Sequence, residues 1–322
     1  MELVLKPTYK CNFHCTFCSS NKLPKTEIDF NILTSKILEL KPRTIIVNGG
    51  DPLMMPPSFY YDLKNFLLEN NLKTEISLTS NLWDWYINPE KWTKCIKDCN
   101  LQICTSFQYD GGRLLPNGKP LTDKIFIDIF NKFQQTFDYK LTFISVITNE
   151  NENLAIKNVE LAKFLNTSCK VNGALMSGRQ GYLYSREKLF KFYLTLFDYD
   201  LYKYEENCKN LINFFTKRQS ICPIPSIPCN QNIRILSSNG RFGNCPALED
   251  DAILDSTVYH FFKKECLCCK FFKLCNSCKK IIHDLQIENN QLLDCSNLKS
   301  VFEKLKEKIN GLQSINSTIN LS

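Results

Sequence analysis

Histidine is scarce in this chain of 322 residues: only His14, His260 and His283 are present. Zinc chemistry that mixes imidazole with thiolate therefore has few ligands to draw on. No uninterrupted apolar run reaches membrane-spanning length, and the opening Met-Glu-Leu-Val-Leu-Lys is too short and too charged for a secretory signal. These absences predict a cytoplasmic protein with no membrane partner. There is no internal repeat, no low-complexity tract and no block of five or more basic residues. The formal charge of +7 comes from lysines interspersed with acids, which predicts a solvated basic surface in preference to a nucleic-acid track.

What the chain does have is cysteine. Seventeen are present, about one residue in nineteen. The count is odd, the chain is long and no export signal precedes it, all of which argue against a secreted disulfide scaffold. In a reducing compartment, clustered thiols bind metal. A hydrophobic share of 43% with 12% aromatic residues is ample for a packed core.

Short β-branched runs alternate with amphipathic helical runs through the first half. Strands are expected at 2–6, 43–48, 75–79, 101–107, 140–147 and 169–175, with helices near 29–40, 58–69, 89–97, 123–135 and 155–165 between them. Six strands joined by crossovers imply a parallel sheet with right-handed connections. Six units are too few for an eight-fold barrel, so the expected fold is α/β, an open, partial (β/α)6 barrel resembling a TIM barrel. Its site should lie at the carboxyl ends of the strands. The barrel is expected over residues 1–184, a helical connection over 185–217, and a cysteine-rich domain over 218–300. An amphipathic helix at 297–309 leads into a polar tail, expected to fray from Gly311, that closes the 301–322 segment.

The most informative motif is Cys11-Asn-Phe-His-Cys15-Thr-Phe-Cys18. Three thiolates on one loop hold three corners of a [4Fe–4S] cubane and leave the fourth iron open to a ligand. The motif follows the first strand, and Gly49-Gly50-Asp51-Pro52 ends the second. With Phe17 just before the third cysteine, this arrangement resembles the radical S-adenosylmethionine (radical SAM) enzymes. The resemblance implies that the amino and carboxylate groups of S-adenosylmethionine chelate the open iron. One electron then cleaves the sulfonium to a 5′-deoxyadenosyl radical, supplied by a donor of flavodoxin or ferredoxin type. It also implies cofactor contacts from Phe17, from the Gly49, Gly50 and Asp51 turn (aspartate where the family has glutamate), from Ser80 and Asn81, from Ser106, and from Arg179. Read without the resemblance, Gly49–Pro52 is an ordinary turn and the strand-end polar residues are common in α/β folds.

The later cysteines form an ordered series: Cys222, Cys229-x10-Gly240-x4-Cys245, Cys266-x2-Cys269-x5-Cys275-x2-Cys278, then Cys295. This resembles the SPASM extension of radical SAM enzymes, although two residues separate Cys275 from Cys278 where the usual pattern has three. Carried over, Cys222, Cys229, Cys245 and Cys278 would hold one auxiliary [4Fe–4S] cluster, and Cys266, Cys269, Cys275 and Cys295 another. Cys268 could compete with Cys269. Spacings of two residues suit a structural zinc site as well. Cys95, Cys99, Cys104, Cys169 and Cys208 are read as buried small hydrophobes. Two closed clusters and one open cluster would contribute about −5 and bring the loaded protein close to neutral.

The resemblance implies hydrogen abstraction from a ribosomally made peptide, giving a cross-link, a thioether or an epimerised residue. Sulfatase maturases share the plan, but they carry an aspartate base where this chain has Pro246. Ten residues precede the first cysteine, so a peptide must be recognised without an N-terminal leader-binding domain. Asp110, Tyr109, Glu249 and Asp250 are candidate acids or bases. Cys268, Cys208 or Cys169 could serve an epimerase as thiol hydrogen donor. The alternatives are a dehydrogenase or epimerase of a small polar metabolite (an aminoglycoside, sugar or nucleoside) and a non-enzymatic iron–sulfur or zinc protein.

Overall fold

The computed structural model describes residues 1–18, 20, 23–109, 112–175, 182–217, 233–243, 268–275 and 296–319. Among them, Met1–Ile144 and 233–243 form one compact unit. Residues 145–175, 182–217, 268–275 and 296–319 form the other.

The first unit is built on strands β1 (Glu2–Thr8), β2 (Thr44–Gly49), β3 (Glu75–Thr79), β4 (Gln102–Ser106) and the opening half of β5 (Thr142–Ile147). Helices α1 (Phe30–Leu40), α2 (Pro57–Glu69), α3 (Trp83–Ile87), α4 (Pro89–Asp98) and α5 (Asp123–Thr136) connect them. The signals that start these helices are local. Asp29 caps α1 by accepting the amides of Asn31 and Ile32, and Thr122 caps α5 through the amide of Ile125. Each strand pairs in parallel with the next, with Leu3 opposite Ile45, Ile46 opposite Ser77, Thr79 opposite Cys104 and Cys104 opposite Thr142.

Parallel strands covered on both faces read as continuous apolar runs. Central strand β1 is buried continuously from Leu3 to Thr8, whereas β2 to β5 alternate. Leu3, Leu5, Ile45, Val47, Ile76, Leu78, Ile103 and Phe143 are buried on one face. Asn48, Ser77, Thr79, Cys104, Ser106 and Thr142 lie on the other and remain partly accessible. A polar sheet face of this kind suits a polar ligand.

Two further strands extend the six expected. Strand β7 (Ile233–Leu236) pairs in parallel with the other edge of β1, Glu2 opposite Ile233 and Leu5 opposite Leu236, and β8 (Phe242–Gly243) pairs antiparallel to β7. The order in this unit is thus β5-β4-β3-β2-β1-β7-β8. Residues 233–243, placed by sequence in the cysteine-rich region, supply both strands. Their short runs lie between cysteines and lack the flanking helical periods that marked the others. The five-residue helix α3 was also not expected, because its Trp-Asp-Trp-Tyr-Ile is too short to show a helical period.

In the second unit, β6 (Cys169–Gly173) lies beside the closing half of β5, with the Ala174 amide donating to the Ile147 carbonyl at 2.8 Å. Around it are α6 (Ala155–Phe164), α7 (Arg186–Asp198), α8 (Glu206–Lys217), the single turn α9 (Phe272–Cys275) and α10 (Ser296–Ile319). The expected helical connection is two helices, broken where Asp200 takes a left-handed conformation with φ of 55°. The last helix does not fray at Gly311 but continues to Ile319. Its buried stripe of Leu298, Val301, Phe302, Leu305 and Ile309 repeats at helical spacing. No helix among the described residues is long and apolar enough to cross a membrane.

Candidate functional site

The three-cysteine loop leaves the carboxyl end of β1, which is paired on both edges, to β2 and β7. Its shape is fixed by its own backbone. The amides of His14 and Thr16 donate to the carbonyls of Leu114 and Gly112, both at 2.9 Å, so the loop is laced to the segment after β4. The Cys18 amide closes a turn onto the Cys15 carbonyl at 3.3 Å. The Phe13 amide donates to Cys11 Sγ at 3.4 Å. Lys25 reaches across to the carbonyls of Tyr9 and Ser20 at 2.8 and 3.2 Å.

Gly49 and Gly50 are needed by the chain itself. Gly49 has φ of +115°, and a Cβ there would meet the Thr8 carbonyl oxygen at 2.6 Å. A Cβ on Gly50 would stand 2.0 Å from the Lys10 carbonyl oxygen. The amides of Gly50 and Asp51 donate to the carbonyls of Thr8 and Lys10 at 2.9 and 2.8 Å, while Ser20 Oγ donates to the Gly49 carbonyl at 2.9 Å. The glycine pair thus lets β2 end against the root of the cysteine loop. That packing role was not foreseen, since sequence reasoning placed the close approach at the cofactor.

Asp51 is buried, with 3% of its surface exposed. Its carboxylate accepts the amide of Leu53 at 2.9 Å, the hydroxyl of Ser80 at 2.9 Å and the amide of Asn81 at 2.7 Å. Burial nevertheless outweighs these donors and pushes its pKa up to about 6. Asn81 in turn donates from Nδ2 to Asn12 Oδ1 at 2.8 Å and to Cys11 Sγ at 3.8 Å. Asp51, Ser80 and Asn81, which the sequence suggested as separate contacts, are therefore one hydrogen-bonded group beneath the loop.

Burial, followed by the negative charge of Asp51, pushes the Cys11 thiol up to about 12. Burial also raises Cys15, against the pull of the Arg113 guanidinium. A proton is thus hard to remove from either site unless a cation replaces it. Among the described residues, no group of three or more histidine, cysteine, aspartate or glutamate side chains converges on the position of a single metal ion. In a cubane, by contrast, each thiolate binds a different iron, so three thiols on one loop need not converge on a point.

Arg113 was missed in the sequence because it stands alone in a loop with no motif around it. It is 8% exposed, and its guanidinium donates to Ser106 Oγ at 3.0 Å and to Gln108 Oε1 at 3.2 Å. Its centre lies 5.1 Å from the centroid of the Phe17 ring. This cation joins three elements of the site: the cysteine loop, the end of β4 and the segment after it. At the end of β2, Asn48 Oδ1 is buried with no hydrogen-bond partner among the described residues. It leaves an acceptor open to a ligand's donor.

Other expected residues are scattered. Tyr109 packs edge-on against Phe107 at 5.1 Å. Cys95, Cys99, Cys169 and Cys208 are buried, but Cys104 is only half-buried on the polar face of β4, contrary to the reading of all five as core. Cys169 and Cys208 do not suit a hydrogen donor, since both are 0% exposed and Cys169 opens β6 at the end opposite the strand carboxyl termini. Cys268 is exposed and Cys269 intermediate. Cys275 ends α9. Asp110, Arg179, Pro246, Glu249, Asp250, Cys222, Cys229, Cys245, Cys266, Cys278 and Cys295 lie outside the described residues.

No protein-family model matches the sequence, and no curated protein matches it. Solved structures do. Native anSMEcpe with bound AdoMet superposes with a TM-score of 0.71 at 19% identity, covering 100% of both chains. The same protein with AdoMet and the Cp18Cys peptide gives 0.69 at 17% identity, covering 100% of this chain and 99% of that one. SuiB of Streptococcus suis bound to S-adenosylmethionine gives 0.52 at 16% identity, covering 85% of this chain and 71% of that one. The chain shares the fold of anSMEcpe.

Proposed function

We propose that this protein is a radical S-adenosylmethionine enzyme that modifies a peptide. The observation that carries the reading is the loop of Cys11, Cys15 and Cys18 at the carboxyl end of a central parallel strand. The laced backbone and the hydrogen-bonded Asp51–Ser80–Asn81 group hold it in place. Three thiolates from the chain leave one iron of a cubane without a protein ligand. A [4Fe–4S] cluster held by Cys11, Cys15 and Cys18 would, when bound, pass one electron from an external reductant to S-adenosylmethionine, releasing methionine and a 5′-deoxyadenosyl radical that would take a hydrogen atom from the substrate.

The remaining work falls to the chain. Arg113 places positive charge beside Cys15 and Ser106, offsetting the charge of the cluster thiolates and suiting a ligand carboxylate. Asn48 offers an acceptor to a ligand amine. Phe17, stacked under the guanidinium, gives an aromatic surface on which a purine can rest. The polar sheet face favours a polar ligand. A peptide substrate is supported by the likeness to anSMEcpe, which was solved with a peptide, and auxiliary clusters by the later cysteine series.

The test is anaerobic reconstitution with iron and sulfide, followed by dithionite and S-adenosylmethionine. The chain should form 5′-deoxyadenosine, and replacing Cys11, Cys15 and Cys18 with alanine should abolish it. Candidate peptides that accelerate the reaction and change mass would identify the substrate. A protein that takes up zinc without sulfide, or forms no 5′-deoxyadenosine, overturns the proposal.

A further inference from the structure

We infer that Asn81, locked by Asp51, is a positioning residue for the cluster: its side-chain amide donates an N–H···S hydrogen bond to the Cys11 thiolate and raises the cluster's reduction potential. The inference rests on the reading of Cys11, Cys15 and Cys18 as cluster ligands.

Every polar atom of Asn81 but its carbonyl has a named partner, and those partners fix its orientation. Its amide N–H is held by Asp51 Oδ2 at 2.7 Å. Its Oδ1 accepts the amide of Trp83 at 2.8 Å, which settles which end of the side-chain amide is the donor. Nδ2 is then turned toward the loop, 2.8 Å from Asn12 Oδ1 and 3.8 Å from Cys11 Sγ. It has two hydrogens, one for each. Asp51 cannot yield easily, because the Leu53 amide and the Ser80 hydroxyl hold its carboxylate as well.

The Phe13 amide already donates to the same sulfur at 3.4 Å, so Asn81 supplies a second donor. Hydrogen bonds to a cluster sulfur draw electron density from the thiolate and favour the reduced, more negative state. Asp51 acts in the opposite sense, since its charge disfavours another on Cys11. The amide therefore lets a buried carboxylate brace the loop without making the cluster correspondingly harder to reduce.

Two variants test this in the reconstituted full chain. Asn81→Ser keeps an oxygen able to accept the Trp83 amide but is too short to reach the sulfur. Asn81→Asp keeps that acceptor and replaces the donor with a second acceptor. Iron and sulfide content are measured first, then the midpoint potential without S-adenosylmethionine, by a redox titration followed by electron paramagnetic resonance. Asn81→Ser should keep its cluster and titrate at a more negative potential. A tenfold lower ratio of reduced to oxidised cluster at fixed potential corresponds to about 59 mV for one electron. Asn81→Asp should shift further in the same direction. Intact clusters with an unchanged midpoint in both variants overturn this inference alone, and so does failure of both to retain iron and sulfide, which would make the role structural. A wild-type chain that binds zinc without sulfide refutes the cluster reading and this inference together.

Discussion

At the scale of single residues, the site depends on how closely the chain approaches itself. Gly50→Ala would put a methyl group 2.0 Å from the Lys10 carbonyl oxygen, so the root of the cysteine loop must move. We expect a loss of about 3 kcal/mol and a marked fall in iron and sulfide bound per chain. Calorimetry and metal analysis check both. Gly311→Ala, in helix α10 with nothing within 4 Å, should leave iron and sulfide unchanged and raise stability by about 0.5–1 kcal/mol through helix propensity. The cysteine spacing and the glycine pair were legible in the sequence because each lies in a continuous motif. Arg113 and the amide of Asn81 acting on Cys11 were not, because their partners are assembled from separate strand ends. The glycines were read from the sequence as cofactor contacts, and the structure adds a packing reason for them. The contact that forbids a side chain is made with the chain's own backbone.

At the scale of elements, helix α8 is tied to β6 by a buried carboxyl. Glu205 accepts the amides of Val171 at 2.9 Å and Cys208 at 2.6 Å, together with Asn207 Nδ2 at 3.1 Å. Burial still prevails and pushes its pKa up to about 7 from an ordinary 4.5. The folded chain thus binds this proton more tightly than the unfolded one. The resulting stability is complete below about pH 4.5 and is lost as the pH rises through about 7, up to about 3 kcal/mol in all. Glu205→Gln should remove this slope, measured as the difference between wild-type and variant unfolding midpoints across that range. Helix α10 is held by aromatic packing. Phe302 is 1% exposed and meets Phe190 edge-on at 4.8 Å and Phe271 at 5.3 Å. Phe302→Ala should cost about 3–5 kcal/mol in chemical denaturation. The helical stripe in this segment is plain in the sequence, but its polar continuation past Gly311 masks how far the helix runs.

At the scale of the molecule, the six βα repeats could be read from period and turn residues alone. Strand β7 could not, because its four residues become a strand only by pairing with β1, and local sequence carries no sign of so distant a partner. A chain ending at residue 226 should expose the free edge of β1, with its buried Leu3 and Leu5, and should aggregate and bind little iron. Sedimentation and metal analysis after reconstitution would show this. The same pairing bears on biosynthesis. The first strand emerges from the ribosome long before residue 233, so the thiols of the loop that follows it are made early and wait on an unfinished sheet. Cluster delivery should follow emergence of residues 233–236, and ribosome-bound nascent chains that end before them should carry reduced, iron-free cysteines.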